Sequence, residues 1–496
     1  MGQPAPSLAG SGRQPDSLPV RGERQWAQSR KIDLQRGSAA MALLAILMIA
    51  LATLIISATS AERLNVERQQ KTALALGAAH DALVAYAVSV QPDTHAKRPG
   101  DLPCPDLDND GDAELTCTDV SQRLGRLPWK TLKLADLRDG DGERLWYALS
   151  TNFKRSTFNQ CPVAGGPSCL NSDTPGTLTV RDSTGAIVHD GANPSSGAVA
   201  VIIAAGPVLT RLGETSAQDR GCTGDADVAA CERTERCSSA ATARCKPANY
   251  LDVAGPPLQP VPGARNLTED NAAFSDAATN DGFIAGPIVD RDGRPIVNDT
   301  VRVLRYEDLM PQVEQRVARE ALKCLQDYAA DTALGRGRYV WAAPVSADYT
   351  APLSDSHGLS FGRLPQTLGA TEADSSGPMS GGWPSSCPIA ADDSAKKWWN
   401  NWKNLVFYAV APSYAPGTGA PVCGACLTVA AETGTVERHV AVFVAGRALG
   451  PWQHRGVGAN ATHYLEDLNA RGGLPGWTSF KRDAVSASFN DVLAYN

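Results

Sequence analysis

The feature that most constrains this chain is an uncharged run near its N-terminus, from Ser38 to Ala61. The run has 24 residues, and a helix of about 20 apolar residues is long enough to cross a lipid bilayer. Residues 1–37 carry six basic side chains against three acidic ones. Because an excess of basic residues stays on the cytoplasmic side, the run predicts a single-pass helix whose C-terminal side is exported.

The predicted helix does not end where the apolar run ends. No proline interrupts the chain from Ser38 to Ser89, and Leu76, Ala79 and Leu83 recur at the spacing of one helix face. We therefore expect one helix over residues 38–90, with a transmembrane first half and an amphipathic second half.

Composition restricts the part of the chain that lies beyond the helix. A chain of 496 residues is too long for one compact core, so two or three domains are expected. The formal net charge of -7 gives no electrostatic reason to expect nucleic acid as a partner. All twelve cysteines lie after the apolar run, and in an exported domain disulfides are their expected state.

The junction before the apolar run reads Gln35-Arg-Gly-Ser-Ala-Ala-Met41. A basic leader that ends in glycine and precedes one long helix resembles the type IV prepilins and the type II secretion pseudopilins. The resemblance implies cleavage by prepilin peptidase between Gly37 and Ser38, on the cytoplasmic side. It also implies that the helix packs against those of other pilin or pseudopilin subunits in a filament.

Two positions depart from that family pattern. Ser38 stands where the family usually has a methylated aromatic residue, and Ala42 replaces the glutamate at the fifth mature position. Because some minor tip subunits also lack the glutamate, the resemblance implies a minor, tip-type subunit. The alternatives for the same segment are a signal anchor that is never cut and a cleaved secretory signal.

Seven short patterns occur twice, in the same order, and indicate an internal duplication. The clearest pair is Gly125-Arg-Leu-Pro128 and Gly362-Arg-Leu-Pro365. The remaining pairs are 82–87 with 321–329, 145–149 with 406–410, 178–180 with 427–429, 199–206 with 440–446, 250–252 with 464–466, and 298–299 with 490–491. In the second copy we predict a helix that begins at Pro311, since proline suits a first turn.

The predicted fold class is α+β, with a long N-terminal helix, two tandem pilin-like heads and disulfides. Each head is expected to pack a helix on an antiparallel sheet. The predicted organisation is a basic cytoplasmic leader at 1–37, the transmembrane and amphipathic stalk helix at 38–90, a first head at 91–304 with a Cys-rich insertion at 207–249, and a second head at 305–496.

An acidic loop between Cys104 and Cys117 is the best candidate for a ligand site. Its carboxylates alternate along the chain, and alternate carboxylates can converge on calcium, which takes six to eight oxygen ligands. The candidate ligands are Asp106, Asp108, Asp110, Asp112 and Glu114. Calcium binding and a solvated acidic turn are the two interpretations of this loop. For a second acidic turn at 136–143, the two interpretations are calcium binding and a tight turn before a strand.

The cysteine spacing suggests candidates for disulfide bonds but does not determine how they pair. The candidates are Cys104, Cys117, Cys161, Cys169, Cys423 and Cys426. The Cys423-Gly-Ala-Cys426 motif also fits a redox pair or half of a zinc site, but a predicted strand comes after it where redox chemistry needs a helix. A structural disulfide is therefore the favoured interpretation.

No catalytic constellation is predicted, so the chain is not expected to be an enzyme. Gly358-Leu-Ser-Phe-Gly362 spells a nucleophile elbow without a predicted strand-to-helix turn, and the seven histidines show no paired-ligand spacing. The tryptophans in 398–402 have helical spacing and fit either a buried core or an exposed contact surface.

These features predict a minor pilin or pseudopilin-like structural subunit of a type IV pilus or type II secretion filament. Its expected location is the bacterial inner membrane, crossed once, with the soluble part in the periplasm or on a surface filament. The alternative is a single-pass membrane-anchored adhesin or ligand-binding protein.

Overall fold

The computed structural model describes most of the chain from residue 33 onwards. It describes only the backbone, and not the side chains, of helical residues 33–40 and 52–61 and of strand residues 373–374 and 377–378. The described residues are 33–89, 98–153, 170–255, 269–273, 282–290, 292–348, 351–369, 373–374, 377–378, 382–389, 398–417, 420–424, 426–456 and 458–495.

Two long helices account for most of the helical residues. The described α-helices are α1 Asp33–Ser89, α2 Val228–Thr234, α3 Tyr306–Ala330, α4 Trp399–Trp402 and α5 Asp467–Ala470. The proline-free run predicted the first of these helices, which begins five residues before Ser38. Short 3₁₀ turns lie at Val120–Gln122, Thr151–Phe153, Ala243–Cys245, Pro247–Asn249, Pro412–Tyr414, Ala461–His463 and Arg471–Gly473.

The predicted start of the second long helix at Pro311 was wrong. Helix α3 begins at Tyr306 and contains Pro311. The Arg305 N–H donates to Asp308 Oδ2 at 3.0 Å, and this contact at the helix N-terminus favours the earlier start. Leu309 and Met310 are buried in the core, so apolar burial favours the additional turn.

The strands are short and fall into two series. The first series is β1 Leu124–Arg126, β2 Trp146–Leu149, β3 Val180–Arg181, β4 Ile187–His189, β5 Ala200–Ala204, β6 Phe283–Ile284, β7 Ile288–Val289, β8 Pro295–Val297 and β9 Thr300–Leu304. The second is β10 Phe361–Arg363, β11 Ala373–Asp374, β12 Gly377–Pro378, β13 Val406–Val410, β14 Leu427–Ala431, β15 Gly434–Arg438, β16 Val440–Val444, β17 Ser479–Lys481 and β18 Val492–Tyr495.

Each series forms a four-stranded antiparallel sheet with the same connectivity. The first has the order β1-β2-β5-β9 and the second the order β10-β13-β16-β18. Gly125 lies opposite Tyr147 in the first sheet, and Gly362 lies opposite Tyr408 in the second. Since the matched sequence patterns occupy matched register positions, the duplication extends to the sheet topology.

A smaller three-stranded sheet accompanies each four-stranded one. Its order is β4-β3-β6 in the first series and β15-β14-β17 in the second. In both, the central strand pairs antiparallel with one neighbour and parallel with the other. Two additional strand pairs, β7–β8 and β11–β12, complete the described sheets.

The chain divides into two units, Met1–Val66 and Glu67–Asn496. In the second unit one hydrophobic core takes residues from both repeats, including Leu83 on α1, Val317 on α3, Tyr147 on β2 and Tyr408 on β13. The fold is therefore α+β and disulfide-containing. Its division into two pilin-like heads, with a boundary at residue 305, stays a prediction.

By length and composition alone, helix α1 contains a stretch that could cross a membrane, although part of that stretch is buried in the core. Among the described residues, Glu62–Ser89 is the one helical stretch that is long and apolar enough, and Met41–Leu51 is a shorter apolar stretch. These properties are compatible with single-pass anchoring.

Candidate functional site

The two described parts of α1 differ in what surrounds their apolar side chains. Between Met41 and Leu51 every large apolar side chain is more than half exposed. Further along, Leu76, Ala79 and Leu83 are buried in the core of the second unit. Among the described residues, one helix therefore carries an exposed apolar stretch and an amphipathic segment that is buried in the core of the second unit.

The predicted processing residues fall at the edge of the described part of the chain. Gly37 and Ser38 belong to the first turns of α1, where only the backbone is described, and the leader over 1–32 lies outside the described residues. The predicted cut therefore stays a prediction.

Three of the five predicted calcium ligands converge in the acidic loop. A disulfide between Cys104 and Cys117 closes the loop, with 5.7 Å between the two Cα atoms. Carboxylate oxygens of Asp106, Asp108 and Asp110 lie within 4.8 Å of one another.

The loop is shaped by hydrogen bonds to its own carboxylates. The Gly111 N–H donates to Asp106 Oδ2 at 2.7 Å, and the Asp110 N–H donates to Asp106 Oδ1 at 3.2 Å. Asn109 and Gly111 have positive φ angles of 63° and 93°, so the backbone turns sharply around the Asp106 carboxylate. Burial, together with the nearby charges of Asp108 and Asp110, raises the pKa of Asp106 to about 7.

An arginine from the Cys-rich insertion occupies the outer side of this cluster. Arg236 Nη2 lies 2.6 Å from Asp108 Oδ2 and 3.3 Å from Asp110 Oδ2. The next residue, Cys237, donates its N–H to the Asp108 carbonyl at 2.8 Å. The loop thus serves as an anchoring surface for residues 207–249.

The other two predicted ligands do not join the cluster. Asp112 Oδ2 lies 3.9 Å from Lys130 Nζ, and Glu114 Oε1 accepts the Leu107 N–H at 3.4 Å. Arg236 already neutralises two of the three converging carboxylates, so a calcium ion would have to compete with this arginine for them. The observed contacts are those of an acidic turn held by an arginine, and calcium binding stays a prediction.

The second acidic turn also binds the insertion. Asp136 pairs with Arg138 at 2.7 Å and with Arg144 at 2.8 Å. Both arginines also contact Glu235, which lies beside Arg236 in the insertion. Although burial opposes the shift, hydrogen bonds from the two arginines lower the pKa of Asp136. Sequence reasoning missed Glu235 and Arg236, because no local pattern reveals where an insertion folds back.

Disulfides are present at four places in the described chain. They join Cys104 to Cys117, Cys222 to Cys231, Cys237 to Cys245, and Cys423 to Cys426. Cys161 and Cys169 lie outside the described residues. The sulfurs of Cys423 and Cys426 also lie near a ring nitrogen of His439, whose ring stacks on Tyr414 with 3.9 Å between centroids.

A buried carboxylate–amide network occurs once in each repeat. In the first repeat, Asp299 Oδ2 accepts the Asp252 N–H at 2.9 Å and the Asn271 side-chain amide at 2.7 Å. In the second, Asp491 Oδ2 accepts the Glu466 N–H and the Asn469 side-chain amide, both at 3.0 Å. The sequence matched the acids as repeat anchors but missed both asparagines.

The paired acids accept hydrogen bonds from neighbouring backbone N–H groups. Burial raises the pKa of Asp252 to about 6, and burial plus the charge of Asp252 raises that of Asp299 well above its ordinary range. The pKa of Asp491 rises well above its ordinary range for the same reasons, with Glu466 as its neighbour. Shifts of this kind often mark catalytic acids, but Asp299 and Asp491 are buried and hold neighbouring backbone in place.

The remaining sequence motifs have structural positions. Ser360 immediately precedes β10, and its carbonyl accepts the Val410 N–H at 2.8 Å, so the segment is strand edge and not a nucleophile elbow. Trp398, Trp399 and Trp402 are buried, which confirms their interpretation as core.

No family model, curated protein or solved structure matches this chain.

Proposed function

We propose that this protein is a minor pilin or pseudopilin-like structural subunit, assembled through helix α1 at the bacterial inner membrane. The supporting observation is the composition of that one helix. Its exposed apolar stretch over Met41–Leu51 lies in the same helix as the buried segment that contains Leu76 and Leu83. An uncovered apolar helix surface needs lipid or other apolar helices around it.

The same helix can be covered in two successive environments. In the membrane, lipid surrounds the stretch over Met41–Leu51; in a filament, like helices from other subunits replace the lipid. The bulky unit Glu67–Asn496 is difficult to repeat along a thin fibre, which favours a tip or low-copy position. The proposed role is structural, and the buried acids Asp299 and Asp491, which hold neighbouring backbone in place, are consistent with it.

Processing of the leader tests this proposal. In cells with active prepilin peptidase, we expect a mature protein that begins at Ser38, and in cells without it, the uncut chain. Gly37→Val should block the cut. Gly77→Val is the matched control, because Gly77 lies in the same helix and a Cβ added to it would meet no atom within 4 Å, and it should be processed normally.

The opposite result has a definite meaning. If mass spectrometry finds the leader still attached to wild-type protein in cells with active peptidase, the filament role is wrong. The intact anchor then favours the membrane-tethered adhesin or ligand-binding protein.

A further inference from the structure

Two cysteines outside the four disulfides lie together in the core of the second unit. Cys324 belongs to α3, and Cys387 lies in the described segment 382–389. Their exposed fractions are 3% and 1%, and both belong to the main hydrophobic cluster. The other eight described cysteines are all in disulfides.

Neighbouring aromatic residues hold the two segments against each other. Tyr328, one helical turn after Cys324, packs against Trp383 with 5.7 Å between ring centroids. The Trp383 indole N–H donates to the Pro365 carbonyl at 3.1 Å, and the Cys387 N–H donates to the Pro384 carbonyl at 2.9 Å. These contacts hold the segment that carries Cys387 against α3.

The interaction with the Cys387 thiol, followed by burial, raises the pKa of Cys324. A raised pKa disfavours the thiolate that metal binding and nucleophilic catalysis require. In the folded core the surroundings therefore disfavour thiolate chemistry at this pair, so a bond between the two sulfurs has to form during folding, before the pair is buried.

We propose that Cys324 and Cys387 form a disulfide in the mature protein. A disulfide-bonded thiol oxidoreductase of the exported compartment supplies the oxidising power. One thiol attacks its disulfide, and the second displaces the resulting mixed bond. Cys324 and Cys387 together lose two protons and two electrons, and the oxidoreductase leaves as a dithiol.

The proposal rests on the proposed function, which places this unit outside the inner membrane. It gives the pair a mechanical role, since the bond closes a loop of about 60 residues and ties α3 to the segment that carries Trp383. Such a crosslink suits a subunit that is pulled from the membrane by its helix.

Peptide mapping of the full-length protein tests the bond. Protein isolated from membranes in detergent is alkylated during denaturation without reductant, and then digested. We expect a peptide that links Cys324 to Cys387, with neither cysteine alkylated. In a Cys387→Ser variant, Cys324 should become fully alkylated, whereas Cys104 and Cys117 stay linked.

The Cys104–Cys117 bond serves as an internal reference. If both Cys324 and Cys387 are alkylated in wild-type protein whose Cys104–Cys117 bond is intact, the proposed disulfide is wrong although the compartment is oxidising. If Cys104 and Cys117 are alkylated as well, the exported location and the disulfide are both wrong.

Discussion

Glu314 on α3 shows how one buried residue makes stability depend on pH. Tyr306 Oη lies 2.7 Å from the Ser172 carbonyl and 3.0 Å from Glu314 Oε1. The tyrosine has one proton, so both contacts are hydrogen bonds when Glu314 is protonated and donates to Tyr306 Oη. Burial raises the pKa of Glu314 to about 7, which agrees with a protonated side chain in mildly acidic solution.

The sign of the effect follows from proton binding. The folded state holds the Glu314 proton more tightly than the unfolded chain does. The contribution of Glu314 to the free energy of unfolding is therefore complete below the ordinary glutamate pKa, and it is lost as the pH rises through about 7. We therefore expect the difference in melting temperature between Glu314→Gln and wild type to shift in favour of the variant as the pH is raised from about 5 to about 8. The exposed Glu307→Gln, on the same helix, should show no such trend; equal trends in both variants would contradict the assignment.

Arg236 gives a second prediction at the residue scale, and it tests the calcium interpretation. Its guanidinium neutralises Asp108 and Asp110, so added calcium should leave the melting temperature of wild-type protein unchanged. In Arg236→Gln the two carboxylates lose this partner, and calcium should then raise the melting temperature above that in chelator. Arg294→Gln, which removes an exposed arginine from another acidic turn, is the control. If calcium stabilises neither wild type nor Arg236→Gln, the predicted calcium site is wrong.

At the scale of elements, α1 offers two leucines in contrasting surroundings. Leu83 is fully buried, whereas Leu74 is 75% exposed on the same helix. Leu83→Ala should destabilise the compact unit by about 2–5 kcal/mol, because it removes buried apolar surface and leaves a cavity. Leu74→Ala should change stability by less than about 0.5 kcal/mol. Chemical denaturation in detergent measures both, and equal losses would mean that this part of α1 is not a core element.

Elements that follow from local sequence patterns could be predicted, whereas boundaries set by competing contacts in the folded chain could not. The proline-free run predicted α1, and the paired Gly-Arg-Leu-Pro patterns indicated a duplication, which the two sheets show in their matched registers. The start of α3 was misplaced, because the capping contact of Asp308 and the burial of Met310 outweigh the preference of proline for a first turn. Local patterns reveal such competition poorly.

The candidate site was less predictable than the sheets. The alternating carboxylates indicated the acidic loop correctly, but the partner Arg236 lies 128 residues further along the chain than Asp108. Only the folded chain brings that arginine to Asp108. For the same reason, the sequence did not reveal Asn271 and Asn469, because the side-chain amide of each donates to a buried acid from another part of its repeat.

At the scale of the whole molecule, the two repeats are joined by buried polar contacts as well as by a shared core. Asn401 on α4 accepts the Leu170 N–H through Oδ1 at 3.0 Å, and its carbonyl accepts the Asn171 side-chain amide at 2.9 Å. Arg455 pairs with Asp173 at 2.6 Å across the same junction. Neither repeat can unfold without exposing groups that the other covers.

This coupling predicts one unfolding transition for the unit Glu67–Asn496, detected at the same midpoint by far-UV and near-UV circular dichroism. Asn401→Ala should lower that midpoint and keep the transition single, since losing the acceptor leaves a buried N–H unsatisfied at a cost of about 1–3 kcal/mol. Asn400→Ala is the matched control, because its side chain bonds Gln366 within the second repeat and is less buried. Two separate transitions, with only the later repeat shifted by Asn401→Ala, would show that the repeats are independent heads despite their common core.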